Sequence, residues 1–244
     1  MIDLHNHLLR YVVKLPVHPT EPDMETAVQM AQIAAEDGIT TIVSTPHFRP
    51  ERLGDRVQEM YGIIHDAVDT LNEELQERGI DIEVVSGAEI SMCEHLPDLA
   101  DKGLLPTLGD SKHVLVELPM NTYAAYAEDV LFKLQLKGYQ PVIAHFERLA
   151  DAPVKRISPR VLHERNIKLQ VNCESLQGRR GRAVADLAQA LLKDDLASAL
   201  GSDAHDPVDA PPRLTPCRAA VERIGGAGTF ERITVERPLA IIGR

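Results

Sequence analysis

Cysteine, positive charge and long apolar runs are all scarce in this sequence. The three cysteines, at positions 93, 173 and 217, are an odd and widely spaced set, which argues against a disulfide scaffold and for a reducing compartment. No segment approaches the roughly 18 consecutive apolar residues that a membrane-spanning helix needs, and no basic stretch followed by an apolar run opens the chain. We therefore expect a soluble cytoplasmic protein with no signal peptide and no membrane insertion.

The charge balance excludes one broad class of partner. Acidic residues outnumber basic ones by 37 to 26, so the formal net charge is −11, and nonspecific binding to nucleic acid has no electrostatic support. An acidic surface also opposes phosphorylated substrates unless bound cations reverse the charge locally. A chain of 244 residues can bury a substantial core, as one large domain or two small ones.

Apolar strand patterns and amphipathic helix patterns alternate along the chain. We count roughly seven such β/α pairs, and strict alternation of this kind predicts a parallel sheet. No linker, repeat or low-complexity stretch interrupts the pattern, so we predict a single domain over residues 1–244, folded as a closed or nearly closed barrel. The predicted helices include one from an Asp23 cap to Gly38, one from about Asp55 to Gly79 and one from about Pro212 to Ile224.

The opening residues, MIDLHNH, raise the first question about function. Side chains alternate along a strand, so Asp3, His5 and His7 are expected on one face and Ile2 and Leu4 on the other. Burying three metal-capable groups costs free energy unless something satisfies them. Asp3 is alternatively a group that orients one of the histidines instead of binding metal itself.

Five further predicted strands end in the same kind of residue. The carboxyl ends of parallel strands converge on one face of a β/α barrel, where active sites form, and imidazoles and carboxylates hold divalent transition metals. Eight such groups exceed what one ion needs, which predicts two or three metals. His65, His95, His113 and His163 lack this setting and are interpreted as structural. The eight groups at strand ends are His5, His7, His47, Glu89, Glu117, His145, Asp203 and His205.

The phrases around these residues resemble a known family. LHNH, STPH, GAEI, VELP, IAHFER and GSDAH are similar to motifs of the PHP (polymerase and histidinol phosphatase) superfamily, and their spacing resembles its bacterial protein-tyrosine phosphatase branch, associated with capsular and extracellular polysaccharide loci. The similarity runs nearly from end to end. It implies an α/β fold, a distorted seven-stranded, TIM-like (β/α) barrel, and a centre of two or three divalent metal ions, foremost manganese, with iron, magnesium or zinc as alternatives.

Carried over residue by residue, the resemblance implies that all eight strand-end groups are metal ligands and that Glu89 bridges two metals. Arg148 in AHFER and Arg213 beyond GSDAH match arginines that hold phosphate. The implied reaction is hydrolysis of phosphotyrosine in proteins, in which a metal-bridging hydroxide attacks phosphorus in line. The implied partner is a phosphotyrosine protein, with a bacterial tyrosine kinase as the family expectation.

Two departures from the family pattern concern the metal site and its rim. The family usually continues its HxH motif with an Asp-Asp-Gly turn that supplies a ligand, whereas this chain has the longer stretch RYVVKLPVHPTEPD. His18 is the best replacement ligand, and Glu21 and Asp23 are weaker candidates because Asp23 is already expected to cap a helix. Phe146 stands where the family has proline, and it either packs on a substrate phenyl ring or fills space.

Other functions stay open at this point. A histidinol phosphatase or another small-molecule phosphatase would use the same metals, and a metal-binding protein whose catalytic site has decayed is the non-enzymatic alternative. The pattern Cys-x5-Arg of cysteine-based phosphatases also occurs, starting at Cys173 and at Cys217. Neither match has a preceding histidine or a glycine-rich cradle, which argues against that mechanism. The native metal and the oligomeric state, including a homo-oligomer, stay open.

Overall fold

β-strands and helices alternate in the structure, as the sequence pattern predicts. The computed structural model describes residues 1–15, 20–119, 126–151 and 157–244, with no side chain described for residue 151. Within these ranges the strands are β1 (Ile2–Asn6), β2 (Thr41–Ser44), β3 (His47–Phe48), β4 (Glu83–Ser86), β5 (Glu89–Ser91), β6 (His113–Glu117), β7 (Gln140–Ile143), β8 (Lys168–Asn172) and β9 (Ala199–Gly201).

The helices lie between the strands and after the last of them. Short 3-10 helices cover Leu8–Tyr11, Gly54–Arg56, Phe146–Asp151 and Thr215–Cys217, and a π-helical turn covers Arg232–Glu236. The α-helices of the described residues are α1 (Met24–Glu36), α2 (Pro50–Leu53), α3 (Val57–Glu77), α4 (Leu96–Asp101), α5 (Ala127–Leu136), α6 (Pro159–Glu164), α7 (Cys173–Leu176), α8 (Arg182–Lys193), α9 (Arg218–Gly225), α10 (Thr229–Glu231) and α11 (Arg237–Ile242). None of them combines the length and apolar character needed to cross a membrane.

All strand pairings are parallel and form a curled sheet. One part has the order β1-β2-β4 and the other the order β3-β5-β6-β7-β8-β9. The amide of Asp203 donates to the carbonyl of His5 over 2.8 Å and the amide of His7 donates to the carbonyl of Ala204 over 3.0 Å, so β1 also meets the segment that follows β9. The predicted α/β class with a parallel, TIM-like sheet is confirmed.

The count of seven strands is not confirmed, because nine strands are present in the described residues. The extended strand structure is interrupted at residues 45–46, between β2 and β3, and at residues 87–88, between β4 and β5. Pro46 has no amide hydrogen to give to a ladder. A Cβ atom on Gly87 would lie 3.0 Å from Val43 Cγ1 and 3.1 Å from the carbonyl of Ser44, so two backbones pass closely at this interruption.

Two apolar clusters stabilise the curled sheet. The larger one fills the space between strands and helices, with side chains such as Ile42 of β2 and Val114 of β6. The smaller one takes the alternate residues of the same strands, such as Val43 and Leu115, and adds Ile241 and Ile242 of α11. Burial of alternate residues on both sides is typical of a parallel sheet covered on both faces.

The helix predictions are confirmed for α1 and α3 and differ near the C-terminus. Helix α9 begins at Arg218 and not near residue 212, because the preceding segment is tied elsewhere: the carboxylate of Asp37 accepts hydrogen bonds from the amides of Leu214 and Thr215 at 2.6 and 2.9 Å. The helical stretch from Thr229 to Ile242 was not predicted. Its β-branched ITV run and its internal proline argue against a helix, and the burial of its three isoleucines, Ile233, Ile241 and Ile242, outweighs that preference.

One glycine on β9 is required by close packing against the metal-capable histidines. A Cβ atom on Gly201 would lie 2.6 Å from His5 Cβ and 2.7 Å from Gln170 Nε2. We expect Gly201→Ala to lower the free energy of unfolding by about 1–3 kcal/mol, since a clash beside a backbone cannot be relieved by rotating a side chain. The measurement is urea unfolding at unchanged m-value.

A matched control is available in an exposed helix. Gly62 lies in α3, and a Cβ atom added there would have open space around it, with no atom beyond the helix's own backbone within 4 Å. Gly62→Ala is therefore expected to raise the free energy of unfolding by about 0.5–1 kcal/mol. Equal effects of the two substitutions would contradict the close packing at Gly201.

Candidate metal centre

The eight predicted ligands lie together at the carboxyl ends of the strands. Glu89 is at their centre, with its side chain only 1% exposed. Its Oε2 lies 2.7 Å from His47 Nδ1 and 3.6 Å from the Nε2 atoms of His5 and His7. Its Oε1 lies 2.7 Å from His145 Nε2. One carboxylate therefore has ring nitrogens of four imidazoles within 3.6 Å.

Asp203, His205 and Glu117, the remaining predicted ligands, lie next to the histidines of this group. Asp203 Oδ1 lies 3.0 Å from His7 Nε2 and 3.6 Å from His205 Nδ1. Glu117 Oε1 lies 3.8 Å from His145 Nε2. Both His145 and Asp203 have left-handed backbone angles, with φ of 30° and 53°. Such angles are uncommon for residues other than glycine and tend to occur at functional sites.

The chemistry of this donor set fits divalent metal ions. Three overlapping groups each bring their donor atoms within 4.8 Å of one another: His5, His7 and Glu89; His7, His47 and His205; and His47, Glu89 and Glu117. The Nε2 atoms of His5 and His7 are 3.0 Å apart, and His7 Nδ1 is buried without a hydrogen-bond partner among the described residues. Imidazole nitrogens this close to each other and to carboxylates are the ligands that transition metals use.

Electrostatics in the cluster favour added positive charge. Burial opposes ionisation of Glu89, but His5 and the other imidazoles outweigh it and hold the pKa of this carboxyl well below its usual range. Burial likewise opposes a charge on His5, yet Asp203 and Glu89 raise its pKa to about 9. The pKa of His7 falls to about 3 because of burial, with His205 adding to the effect. The cluster thus keeps its two buried carboxylates, Glu89 and Asp203, ionised, the form that attracts a cation.

Asp3 does not share a face with the two histidines of its strand. The register of β1 shifts between Asp3 and Asn6, which breaks the simple alternation expected from the sequence, as a β-bulge does. The Asp3 carboxylate accepts hydrogen bonds from the amide of Ser202 at 2.8 Å and from the Asn6 side chain at 3.0 Å. Asp3 therefore joins β1 to the loop that carries Asp203 and contacts neither histidine ring.

Two residues of β8 that the sequence analysis missed hold the cluster in place. Gln170 Oε1 lies 3.1 Å from His5 Nδ1 and accepts the amide of His145 at 2.7 Å. Its Nε2 donates to Asn172, which donates to Asp203 Oδ2 at 3.0 Å. Bonds of this kind fix the tautomer and orientation of metal-ligating groups. The available signal was the pair of polar residues at alternate positions in the LQVN strand.

A cavity of about 360 Å³ opens onto the cluster. Its walls include five of the predicted ligands together with Arg148, Glu174 and Arg180. Arg148 Nη1 lies 2.9 Å from Asp203 Oδ2. Glu174 Oε1 lies 2.5 Å from Arg180 Nε and 4.0 Å from Arg148 Nη2. Two guanidinium groups thus face the cavity, and Arg180 was missed although GRRGR marks a basic run.

Three other predicted residues, Glu21, Asp23 and Arg213, lie apart from the cavity. His18 is outside the described residues. Glu21 is exposed and forms an ion pair with Lys14, and Asp23 precedes α1 with its carboxylate accepting the Thr26 hydroxyl at 2.7 Å. Arg213 is exposed and is not among the residues that line the cavity.

Phe146 and the cysteines belong to the core. Phe146 is fully buried in the larger apolar cluster, so it fills space and does not reach a substrate ring. Cys173 and Cys217 are buried, and both thiols lie against the carbonyl of Leu214, at 3.5 and 3.2 Å. Contact with Cys173 and burial raise the pKa of the Cys217 thiol. Neither thiol lines the cavity, and the cysteine-based mechanism has no support.

Comparison with known proteins gives one consistent family. The chain is 33% identical over 210 residues to the tyrosine-protein phosphatase YwqE of Bacillus subtilis, covering 84% of this chain and 78% of the relative. It is 26% identical over 254 residues to the tyrosine-protein phosphatase CpsB of Streptococcus pneumoniae, covering 99% and 98%. A solved structure from work on YwqE and CpsB as metal-dependent tyrosine phosphatases superposes with a TM-score of 0.80 at 29% identity, over 99% of this chain and 94% of that one.

The predicted resemblance to the bacterial tyrosine phosphatase branch is thereby confirmed. A family model described as capsular polysaccharide synthesis, CpsB/CapC, matches residues 1–243. Nearly the whole chain is covered by this match, including every strand end that carries a predicted ligand. The protein belongs to the CpsB/CapC family of capsular polysaccharide synthesis.

Proposed function

We propose that this protein is a metal-dependent phosphatase that hydrolyses phosphotyrosine in proteins. The observation that carries the proposal is one cavity in which imidazoles, carboxylates and two guanidinium groups meet. The relatives YwqE and CpsB are named tyrosine-protein phosphatases, and the same reaction is the function that this site supports best.

The proposed cofactor is a group of two or three divalent ions, foremost manganese, with iron, magnesium or zinc as alternatives. The three overlapping groups of donor atoms support more than one ion. When bound, such ions supply Lewis acidity and an activated water nucleophile. The proposed ligands are His5, His7, His47, Glu89, Glu117, His145, Asp203 and His205, and His18 stays a prediction for the altered turn.

The residues of the chain bind and orient the phosphate. Arg148 and Arg180 can neutralise the nonbridging oxygens, since guanidinium groups bind phosphate through paired hydrogen bonds. Asp203 holds Arg148 by its Oδ2 atom, and Glu174 lies between the two arginines. A phenolate leaving group, with a pKa of about 10, needs less protonation than an alkoxide. Aryl phosphates are therefore the favoured substrates.

The remaining parts of the proposal concern architecture and partners. The proposed seven-stranded barrel counts β2 with β3 as one interrupted strand and β4 with β5 as another. The family match over residues 1–243 supports a single domain. The proposed partner is a phosphotyrosine protein such as a bacterial tyrosine kinase, encountered in the cytoplasm.

Removal of metal tests the reaction class. Phosphate release from a phosphotyrosine peptide is expected to vanish with a strong chelator and to return with manganese, because the buried carboxylates and imidazoles alone offer no activated nucleophile. Cys173→Ser should leave the rate unchanged, since this thiol lies outside the cavity. Faster release from histidinol phosphate than from the peptide would identify a small-molecule phosphatase, and release that survives the chelator would exclude the metal mechanism.

The two predicted phosphate arginines provide a matched comparison. Arg148 lines the cavity and Arg213 is exposed elsewhere. Arg148→Ala is expected to lower kcat/KM by about 10²-fold through loss of charge stabilisation, and Arg213→Ala by less than about threefold, within the range of surface substitutions. Both proteins should retain wild-type metal content. A larger loss in Arg213→Ala would restore Arg213 to the phosphate site.

The Gln170 amide can be tested by metal affinity. Gln170→Leu keeps similar volume but removes the bond to His5 Nδ1, and we expect manganese affinity to fall by about 10- to 100-fold. Gln189→Leu, on the exposed face of α8, is the control. Calorimetric titration of metal-free protein provides the measurement, and unchanged affinity in Gln170→Leu would show that His5 is oriented by other contacts.

A further inference from the structure

A second cavity lies at the opposite end of the sheet from the metal centre. Its volume is about 500 Å³. His113, Gln140 and Lys168, which line it, are the first residues of β6, β7 and β8, and Ser198 directly precedes β9. Because the strands are parallel, their first residues share one end and the metal-capable residues share the other. Helix α11 completes the walls with Arg237 and Ile241.

This cavity is cationic in a protein of net charge −11. The Lys168 ammonium donates to Asn166 Oδ1 at 2.8 Å, and no ion pair joins it to a carboxylate of the described residues. Arg237 binds Asp195 through two contacts of 2.9 and 2.8 Å. Asp195 is also 3.8 Å from Arg232, so a single carboxylate serves two guanidinium groups. The lysine charge is left without a counter-ion there.

Neutral hydrogen-bonding groups surround the lysine. His113 Nδ1 is buried without a hydrogen-bond partner among the described residues. Burial and then Lys168 lower the pKa of His113, and a backbone contact with Ile241 opposes them, so the neutral, hydrogen-bonding form of this imidazole is favoured over its cation. Gln140, Asn166 and Ser198 add amide and hydroxyl groups. Ile241 gives one wall an apolar surface.

We propose that this cavity binds a small polyhydroxylated anion. Lys168 and Arg237 would pair with the anionic group, and His113 with the neighbouring amides would bond to the hydroxyls. The volume lies within the range of about 300–1,000 Å³ typical of small-molecule sites. Burial and Arg237 lower the pKa of Lys168, a cost that a bound anion relieves. The anionic group is a phosphate or a carboxylate, as in a sugar phosphate or a uronate. The site is independent of the proposed phosphatase reaction.

Calorimetric titration of the metal-loaded protein distinguishes the two anions. The probes are glucose 1-phosphate, glucuronate and, as the neutral control, glucose. We expect at least one of the two anions to bind with a dissociation constant below about 1 mM, and glucose to bind at least about tenfold more weakly. Binding of one anion alone identifies the group that the cavity recognises. His113 imidazole signals in an NMR spectrum should shift on binding, which locates the ligand.

Three variants separate this cavity from the metal centre. Lys168→Gln should weaken anion binding by at least about tenfold, with an unchanged Tm as the check on folding. Lys102→Gln, an exposed lysine outside the cavity, and Arg148→Ala should bind as the wild type does. The proposal is overturned if neither anion binds at about 10 mM, if Arg148→Ala loses binding and Lys168→Gln does not, or if His113 signals stay unchanged on saturation.

Discussion

A buried carboxylate that must keep its charge is the constraint on which this structure depends. Glu89 is 1% exposed, and an ionised carboxylate in such a place is tolerated only with positive charge beside it. Four imidazoles from three segments of the chain supply the nearest partners. Protonation of these imidazoles cannot supply all the positive charge, because the protonated form is favoured for His5 and strongly disfavoured for His7. The divalent ions of the proposed centre would resolve this conflict, and they account for the density of metal-capable groups.

Polar residues of the sheet hydrogen-bond to the members of the cluster and so connect it to the strands. Gln170 and Asn172 of β8 connect His5, His145 and Asp203 in one hydrogen-bonded series. Asp3 makes a similar connection between β1 and Ser202. These bonds lie where the first and last strands of the curled sheet meet, so the closure of the sheet and the geometry of the centre depend on the same contacts.

Charge is distributed unequally between the two ends of the sheet. The end with the candidate metal centre concentrates carboxylates, and Arg148 and Arg180 are the guanidinium groups that oppose them among the described residues of the cavity walls. The other end has Lys168, whose ammonium donates to Asn166, and Arg237, which shares the carboxylate of Asp195 with Arg232. Each end therefore favours ions of opposite sign to the other. The net negative charge of the whole chain predicts the charge preference of neither site, because nearby charged groups decide ion binding at short range.

The sequence by itself determined the alternation of strands and helices, the parallel sheet and the gathering of imidazoles and carboxylates at the strand ends. Apolar periodicity and the position of His and carboxylate residues after each strand are local patterns, and they were sufficient for Glu89 and His145. Only the tertiary structure decided which polar side chains support them, since Gln170 lies 165 residues from His5 along the chain. It also separated Arg148 from Arg213 and added Arg180, because the direction of a side chain depends on packing. The bulge in β1 and the helix at residues 229–242 follow from contacts between distant segments, which no local pattern reports.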